Sequence, residues 1–581
     1  MLCNSMAAAG VATGYVLALF LHLNSHLPLH PARLSTIIAT VGLFYAVHLT
    51  VIFYVLLVVW QLLAREVFSP AWISVGVLTL LCGMASAAGA VLMWNNAGAF
   101  ALVTDSATGL ALERSAVVLA ASALLFALVG LTRWAAPRAR GLWATMFLVV
   151  AGASVAAPLA LRGRGTPPVL EARPIDATFA SARGEPAPRV TVIAIDAASL
   201  DLITRATAEG RLPNFGRILD AGAVRHLATL HPTSPEAVWA AVATGKLPQK
   251  NGVRSAAIYQ ITGGGDALQL LPVDCFAHGL QRFGFLIEHP HTSATFRTRT
   301  LWSIASTNGF SVGVVGWPLT QPAPPVRGYL VADTYHRLAN TALGIDDPSA
   351  LYPLDLQNDA LGAMEAATAE VPAVVNASLG GALPGRADAR EESAARTDRI
   401  YDAIAQAMAR LRPAQLTLTR YQSLDAIGHY YLRYALPSEF GDVTDEERRR
   451  LGGVLERHYA SIDGAIGRAM AALGPDDLLV VVSGYGMEPL AFGKRLIERV
   501  IGDPEISGTH EGAPDGFLLA YGAPVKPGRL PRGAIVDVTP TILYFLGLPV
   551  GRDMDGFARA DIFTREFTAS RPIAYIPTYE R

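Results

Sequence analysis

Five apolar stretches, each long enough to cross a bilayer as a helix of about 20 residues, fall within the first 161 residues, near 6–24, 36–64, 71–94, 114–133 and 142–161. Lipid offers no partner to an unpaired backbone N–H or C=O, so segments of this kind are held as helices. The expectation for residues 1–162 is an N-terminal bundle of about five transmembrane helices. The first stretch lacks a basic n-region and a clear cleavage site, and reads as a retained helix rather than a signal peptide. The second is long enough to tilt.

Five crossings put the two chain ends on opposite sides. Arg133, Arg138 and Arg140 make the fourth connection the most basic short loop, and Arg65 follows the second span. The positive-inside rule puts both in the cytoplasm. The chain is then expected in the cytoplasmic (inner) membrane with its C-terminal part extracytoplasmic, in the periplasm. Arg33, Arg162 and Arg164 pull the other way. No charged residue in the interior of a span, the usual pointer to a transport path, is present: Arg114 and Arg133 stand at the two ends of the fourth. The bundle therefore reads as an anchor, with a lipid-substrate groove as the alternative.

Charged residues make up 16% of the chain, against roughly 25% in ordinary soluble domains. The deficit lies in the first 160 residues, and the net charge of -1 averages two unlike parts. Nothing resembles the clustered basic face that nucleic acid requires, so the expected partner is a lipid bilayer and not nucleic acid. Of three cysteines, Cys3, Cys82 and Cys275, only Cys275 lies beyond the apolar region, so no disulfide framework is available there. Residues 163–188, rich in Arg, Pro and Ala, read as a linker.

From residue 189 to 581, short β-branched runs alternate with helical ones, predicting an α/β sheet covered by helices. Strands are expected at VTVIAI (190–195), FSVGVVG (310–316), 416–419, LLVVV (478–482) and 516–521, and helices at 197–208 and 213–221. Ligands of such sheets bind beyond the carboxyl ends of strands. Asp196 follows the first strand and Asp425 to His429 follow the third. Ser483-Gly-Tyr-Gly-Met follows the fourth, and His510 precedes the fifth. On a helix, Asp425 and His429 share a face and can share one divalent ion. Each also has a plainer reading: Asp425 and His429 as a surface pair, Asp196 as a helix cap, His510 as a loop residue. Thr233 and Ser234 precede an apolar helical stretch, either as a cap or as a nucleophile whose phosphorylated form the helix N-terminus favours.

Taken in order, these segments resemble the type I phosphodiesterase/nucleotide pyrophosphatase branch of the alkaline phosphatase superfamily, as a divergent member. The carriers are VTVIAIDAASLDLI…GRLPNFGRILDAG, Thr244-Gly-Lys-Leu-Pro-Gln-Lys-Asn-Gly-Val, Tyr421-x-x-x-Asp425-x-x-Gly428-His429 and Asp537-Val-Thr-Pro-Thr-Ile-Leu, spread over about 190–560. The resemblance implies an alkaline-phosphatase-like fold, zinc-like ions (manganese is the alternative) and a Ser or Thr nucleophile. It implies Asp425, His429 and His510 as ligands of one metal, Asp196 as a ligand of a second, and Ser234 as nucleophile with Thr233 as runner-up.

Three departures bear on that expectation. The family's S-D-H-G-[MF] reads Ser483-Gly484-Tyr485-Gly486-Met487 here, so two ligands of the second ion are missing. Ser234 lies ten residues before Thr244, where the family spaces its nucleophile nine before. Its H-G-I is Asn251-Gly252-Val253. Glu511 and Asp515 are candidate substitute ligands. The insert near 264–298, with Cys275, His278, Glu288, His289 and His291, is expected to cover the site as an ordinary solvated lid, and residues 336–400 form another insert. The expected activity is a membrane-anchored phosphoesterase acting on an extracytoplasmic or lipid-linked phosphoester. The rivals are a retired, metal-keeping binding protein and an envelope lipid-headgroup phosphotransferase.

Overall fold

The computed structural model describes residues 1–64, 72–135, 140–163, 188–264, 267–273, 276–338, 347–379, 386–501 and 503–580. The linker, Arg65, Arg138, Arg164 and Cys275 lie outside the described residues. The chain divides into two compact units, one formed by Met1–Glu171 with Arg254–Pro290, the other by Ala172–Val253 with His291–Arg581.

In the first unit, five helices are long and apolar enough to cross a membrane: Leu2–Leu23, Leu34–Leu63, Val75–Ala99, Ser106–Trp134 and Gly141–Arg162. The fourth starts eight residues before the apolar stretch that marks it, so Glu113 and Arg114 stand on its exposed side. Asp105 accepts from the backbone N–H of Thr108 (2.8 Å), which starts the helix there. Arg162 donates to the carbonyls of Leu21, at the end of the first helix, and of Asn24 (3.0 Å) and Leu27 in the turn after it.

Residues 254–290 are not built as a free-standing lid. They form a three-stranded antiparallel sheet (Ala257–Ile261, Ala267–Leu268, Leu286–Pro290). The Asn24 side chain donates to Leu270 O (2.9 Å) and accepts from Gln269 N (2.7 Å), and the Asn96 side chain accepts from Val273 N (2.9 Å). Buried Ala257, Ile261 and Leu286 share a core with Phe20, Val41 and Phe44. His289 bonds Gln260 (2.9 Å), an ordinary polar contact within this sheet.

The second unit is a ten-stranded mixed sheet. In chain order its strands are β1 (Val190–Ile195), β2 (Ala223–Ala228), β3 (Val312–Val315), β4 (Gly328–Val331), β5 (Leu351–Tyr352), β6 (Leu416–Tyr421), β7 (Leu478–Tyr485), β8 (Asp515–Tyr521), β9 (Gly528–Arg529) and β10 (Gly533–Ala534). The spatial order is β9-β2-β8-β7-β1-β6-β3-β4-β5, with β10 also on β2. The central β7, β1, β6, β3 and β4 run parallel, whereas β8 runs antiparallel to β7 and β2. Alternate residues face two cores: Val190, Val192 and Ala194 one way, Ile193 and Ile195 the other. Covering both faces is what makes these strands read as continuous apolar runs. Helices Leu200–Ala208 and Pro213–Ala221 stand where the apolar periodicity places them.

Candidate active site

The carboxyl ends of β1, β6 and β7 lie side by side, and each delivers a polar group to the same rim: Asp196, Asp425 and Tyr485. Because β8 is antiparallel to β7, the segment leading into β8 carries His510 to that rim as well. The chain leaving β2 arrives there with Thr233 and Ser234.

Asp425 and His429 lie on one face of the Ser423–Ala435 helix, with Nε2 of His429 3.8 Å from Asp425 Oδ2. His510 Nε2 lies 3.9 Å from the other carboxylate oxygen. The three donor atoms all fall within 4.8 Å of one another. Both imidazoles are oriented from behind. His429 Nδ1 is 2.9 Å from Gly508 O and His510 Nδ1 is 3.1 Å from Thr233 O. Each Nδ1 therefore carries the proton and donates, leaving both Nε2 lone pairs aimed at the carboxylate. A ligand histidine is held this way around a metal. The residue spacing needs close backbone approach: a Cβ on Gly508 would lie 2.5 Å from Gly428 O, and one on Gly428 2.5 Å from Met487 Sδ. These three side chains fit one divalent ion.

Among the described residues, Asp196 is not part of this group. Both carboxylate oxygens of the buried Asp196 are occupied by the Arg420 guanidinium, with Nε at 2.9 and 3.1 Å and a further contact from Nη2. Trp239 Nε1 donates to Oδ1 at 2.8 Å. Asp196 is thus paired with an arginine here, whereas the resemblance implies it as a ligand of a second metal. Gly484 brings no side chain, and a Cβ there would fall 2.4 Å from Val238 Cγ1. Tyr485 is fully buried; its hydroxyl donates to Asp425 Oδ1 at 3.3 Å and its ring stands edge-on to His510 at 5.4 Å. Burial pushes the Tyr485 phenol well above its ordinary value, and the Asp196 and Asp425 charges push it further. It stays a neutral donor. Glu511 and Asp515 face elsewhere, onto Lys494 and onto Arg532 (2.6 Å), so neither substitutes for the missing ligands.

Ser234 is the N-cap residue of the Pro235–Thr244 helix, yet its hydroxyl caps nothing. Its Oγ instead donates to Glu236 Oε2 at 2.9 Å. Thr233 spends its hydroxyl on Leu230 O (2.7 Å) and is buried, while its carbonyl holds His510. Of the two, Ser234 is the one placed to react. Glu236 and Arg420 were not apparent from sequence. Burial pushes the Glu236 carboxyl up, against the hydrogen bonds that it accepts. Arg420 is held in its charged form because the Asp196 carboxylate outweighs the cost of burying it. A charged residue near the carboxyl end of a strand, as in LTLTRY, was the available signal.

Residues 190–514 match the model of the family described as type I phosphodiesterase / nucleotide pyrophosphatase. A phosphopentomutase from Symbiobacterium thermophilum is 32% identical over 110 residues, 19% of this chain and 24% of that protein. The chain thus spans about a quarter of the length of the curated relative it matches.

Proposed function

We propose that this chain, which belongs to the type I phosphodiesterase / nucleotide pyrophosphatase family, is a membrane-anchored phosphoesterase that attacks its substrate with Ser234 beside a single divalent ion. The observation that carries this reading is the convergence of Asp425, His429 and His510 next to a helix-terminal serine whose hydroxyl is free of capping duty. Zinc is the ion that two imidazoles and one carboxylate suit, with manganese the alternative. When bound, it would supply the Lewis acidity that polarises a phosphoryl oxygen.

The protein's own groups account for the remaining steps. Ser234 Oγ attacks phosphorus in line with the leaving oxygen, its proton passing to the Glu236 carboxylate already bonded to it. The P–O bond to the leaving alcohol breaks, and that oxygen takes the proton. A water, or an acceptor hydroxyl in a transferase, then displaces the serine oxygen. Backbone N–H groups at the start of the Pro235–Thr244 helix favour the extra negative charge of the phosphoserine.

A lipid-linked or other extracytoplasmic phosphoester fits a catalytic unit joined to five apolar helices, and the arginines flanking the second and fourth spans favour a periplasmic site. The test is release of p-nitrophenol from bis(p-nitrophenyl) phosphate by the full chain in detergent, supplied with zinc or manganese. Turnover should vanish in Ser234→Ala. Wild-type protein as inert as the variant would reject hydrolysis and favour the binding-protein reading.

A further inference from the structure

The rim has a cationic group that is not a metal. Arg420 projects from β6, directly beside Ala194 of β1 in the parallel register, and so reaches Asp196 at the neighbouring strand end. Its Nε and Nη2 are committed to that carboxylate, and Trp239 completes the clamp from the other side. Nη1 makes no hydrogen bond among the described residues, and 11% of the side chain stays exposed. A guanidinium gripped through Nε and Nη2 is held in one orientation at the strand end, with Nη1 left over. The side chains that feel its charge include Asp196, Tyr485, Asp333, Tyr401 and Glu236. Glu236 is the carboxylate bonded to Ser234.

Two changes in this chain belong together. Gly484 removes a carboxylate, and a Cβ there would meet Val238; Tyr485 puts a neutral hydroxyl where an imidazole would be required. Each lowers the capacity of Asp196 to share in a second divalent ion. Arg420 restores the positive charge that these changes cost. A guanidinium is suited to that exchange, since it stays charged when buried and its planar fork donates to carboxylate and phosphate alike.

We propose that Arg420 replaces the second cation of this site: backed by Asp196, it binds the non-bridging oxygens of the phosphoryl group directly, and the protein works with one metal ion per chain. The inference rests on the phosphoesterase reading for its ligand class. Its test uses binding and metal content, so the two can fail separately.

Metal content of the full chain in detergent, dialysed against excess zinc, is counted by mass spectrometry, and inorganic phosphate binding to the zinc-loaded protein is followed by calorimetry. One zinc per chain is expected. Arg420→Lys, which cannot grip Asp196 and an anion at once, should weaken phosphate binding by about tenfold or more and leave the zinc count at one. Arg420→Ala strands a buried carboxylate and can unfold the unit. The double variant Asp196→Asn with Arg420→Gln therefore provides the neutral control, and it should show the same loss. Two zinc ions on the wild-type chain would overturn the proposal, as would phosphate affinity within twofold of wild type in both variants. A wild-type protein that binds phosphate through Arg420 but hydrolyses nothing would sink the phosphoesterase reading and leave this one standing.

Discussion

At position 484 a single methyl group decides what the rim can hold. With a Cβ only 2.4 Å from Val238 Cγ1, even alanine must displace the Val238 side chain or the elements that carry the two residues. Overpacking of this kind costs about 1–3 kcal/mol. Gly484→Ala should lower the unfolding free energy by that order, and adding Val238→Ala should recover part of it in a denaturant titration. Equal stability of Gly484→Ala and wild type would show the helix to be free to yield. Glu236 acts on the same few ångströms through its bond to Ser234 Oγ. Glu236→Gln keeps the shape and loses the base, so kcat should fall by about 10²–10⁴. Burial pushes this carboxyl up, and only its ionised form accepts a proton. Wild-type activity should therefore rise with pH across a limb lying above the ordinary carboxylate range. Glu236→Gln should flatten that limb. An unchanged acid limb would assign the proton to another acceptor.

The element that aims the metal ligands is the Ser423–Ala435 helix, and its start is fastened by Asp398. That carboxylate accepts from the N–H groups of Gln422 (2.8 Å) and Ser423 (3.2 Å). Burial nonetheless lifts it to about 6, against those hydrogen bonds. The sign follows directly. The folded chain binds the proton more tightly than the unfolded one, so this residue supports the fold fully below about pH 4 and loses that support as pH rises through 6. The loss amounts to at most about 3 kcal/mol. Asp398→Asn should make stability between pH 4 and pH 6 less dependent on pH, read as a flatter profile of chemical unfolding midpoints. A profile that keeps its slope would place the titration elsewhere. How far such elements can be read from sequence depends on what each one needs. The strands of the central sheet were legible because burial on both faces leaves continuous apolar runs, and Asp425, His429 and His510 because the ordered motifs resemble a known family whose ligands fall at those strand ends. Arg420 was not, since its meaning depends on the register that sets β6 against β1. Nor were the partners of Glu511 and Asp515, because Lys494 and Arg532 meet them only through folding. The fourth membrane helix was drawn short because hydropathy stops at Glu113 and Arg114, whereas helix hydrogen bonding continues to the cap at Asp105.

On the scale of the whole chain, the sequence crosses between the two compact units at 171/172, 253/254 and 290/291. The excursion over 254–290 leaves the α/β unit, builds a small sheet on the apolar helices and returns. A helical anchor alone does not require that. The excursion also carries large apolar side chains in the open: Phe276 is 74% exposed and Phe283 63%. Phe283 stands 5.9 Å from Phe44 and 5.7 Å from His48, on the Leu43–Ala64 helix. Exposed aromatic side chains continuous with a spanning helix belong at the bilayer interface, where their apolar faces enter the acyl boundary. The small sheet should therefore be dipped in lipid. A nitroxide attached at Phe283→Cys, with the full chain in phosphatidylglycerol–phosphatidylcholine vesicles, should relax more strongly with oxygen than with a water-soluble nickel complex. A label on exposed Asp442→Cys in the α/β unit should show the reverse. If both positions favour the nickel complex, the excursion is a solvated element. If position 283 is lipid-immersed, the polypeptide between Val253 and His291 is tethered to the membrane surface at a second point, independent of the linker before β1.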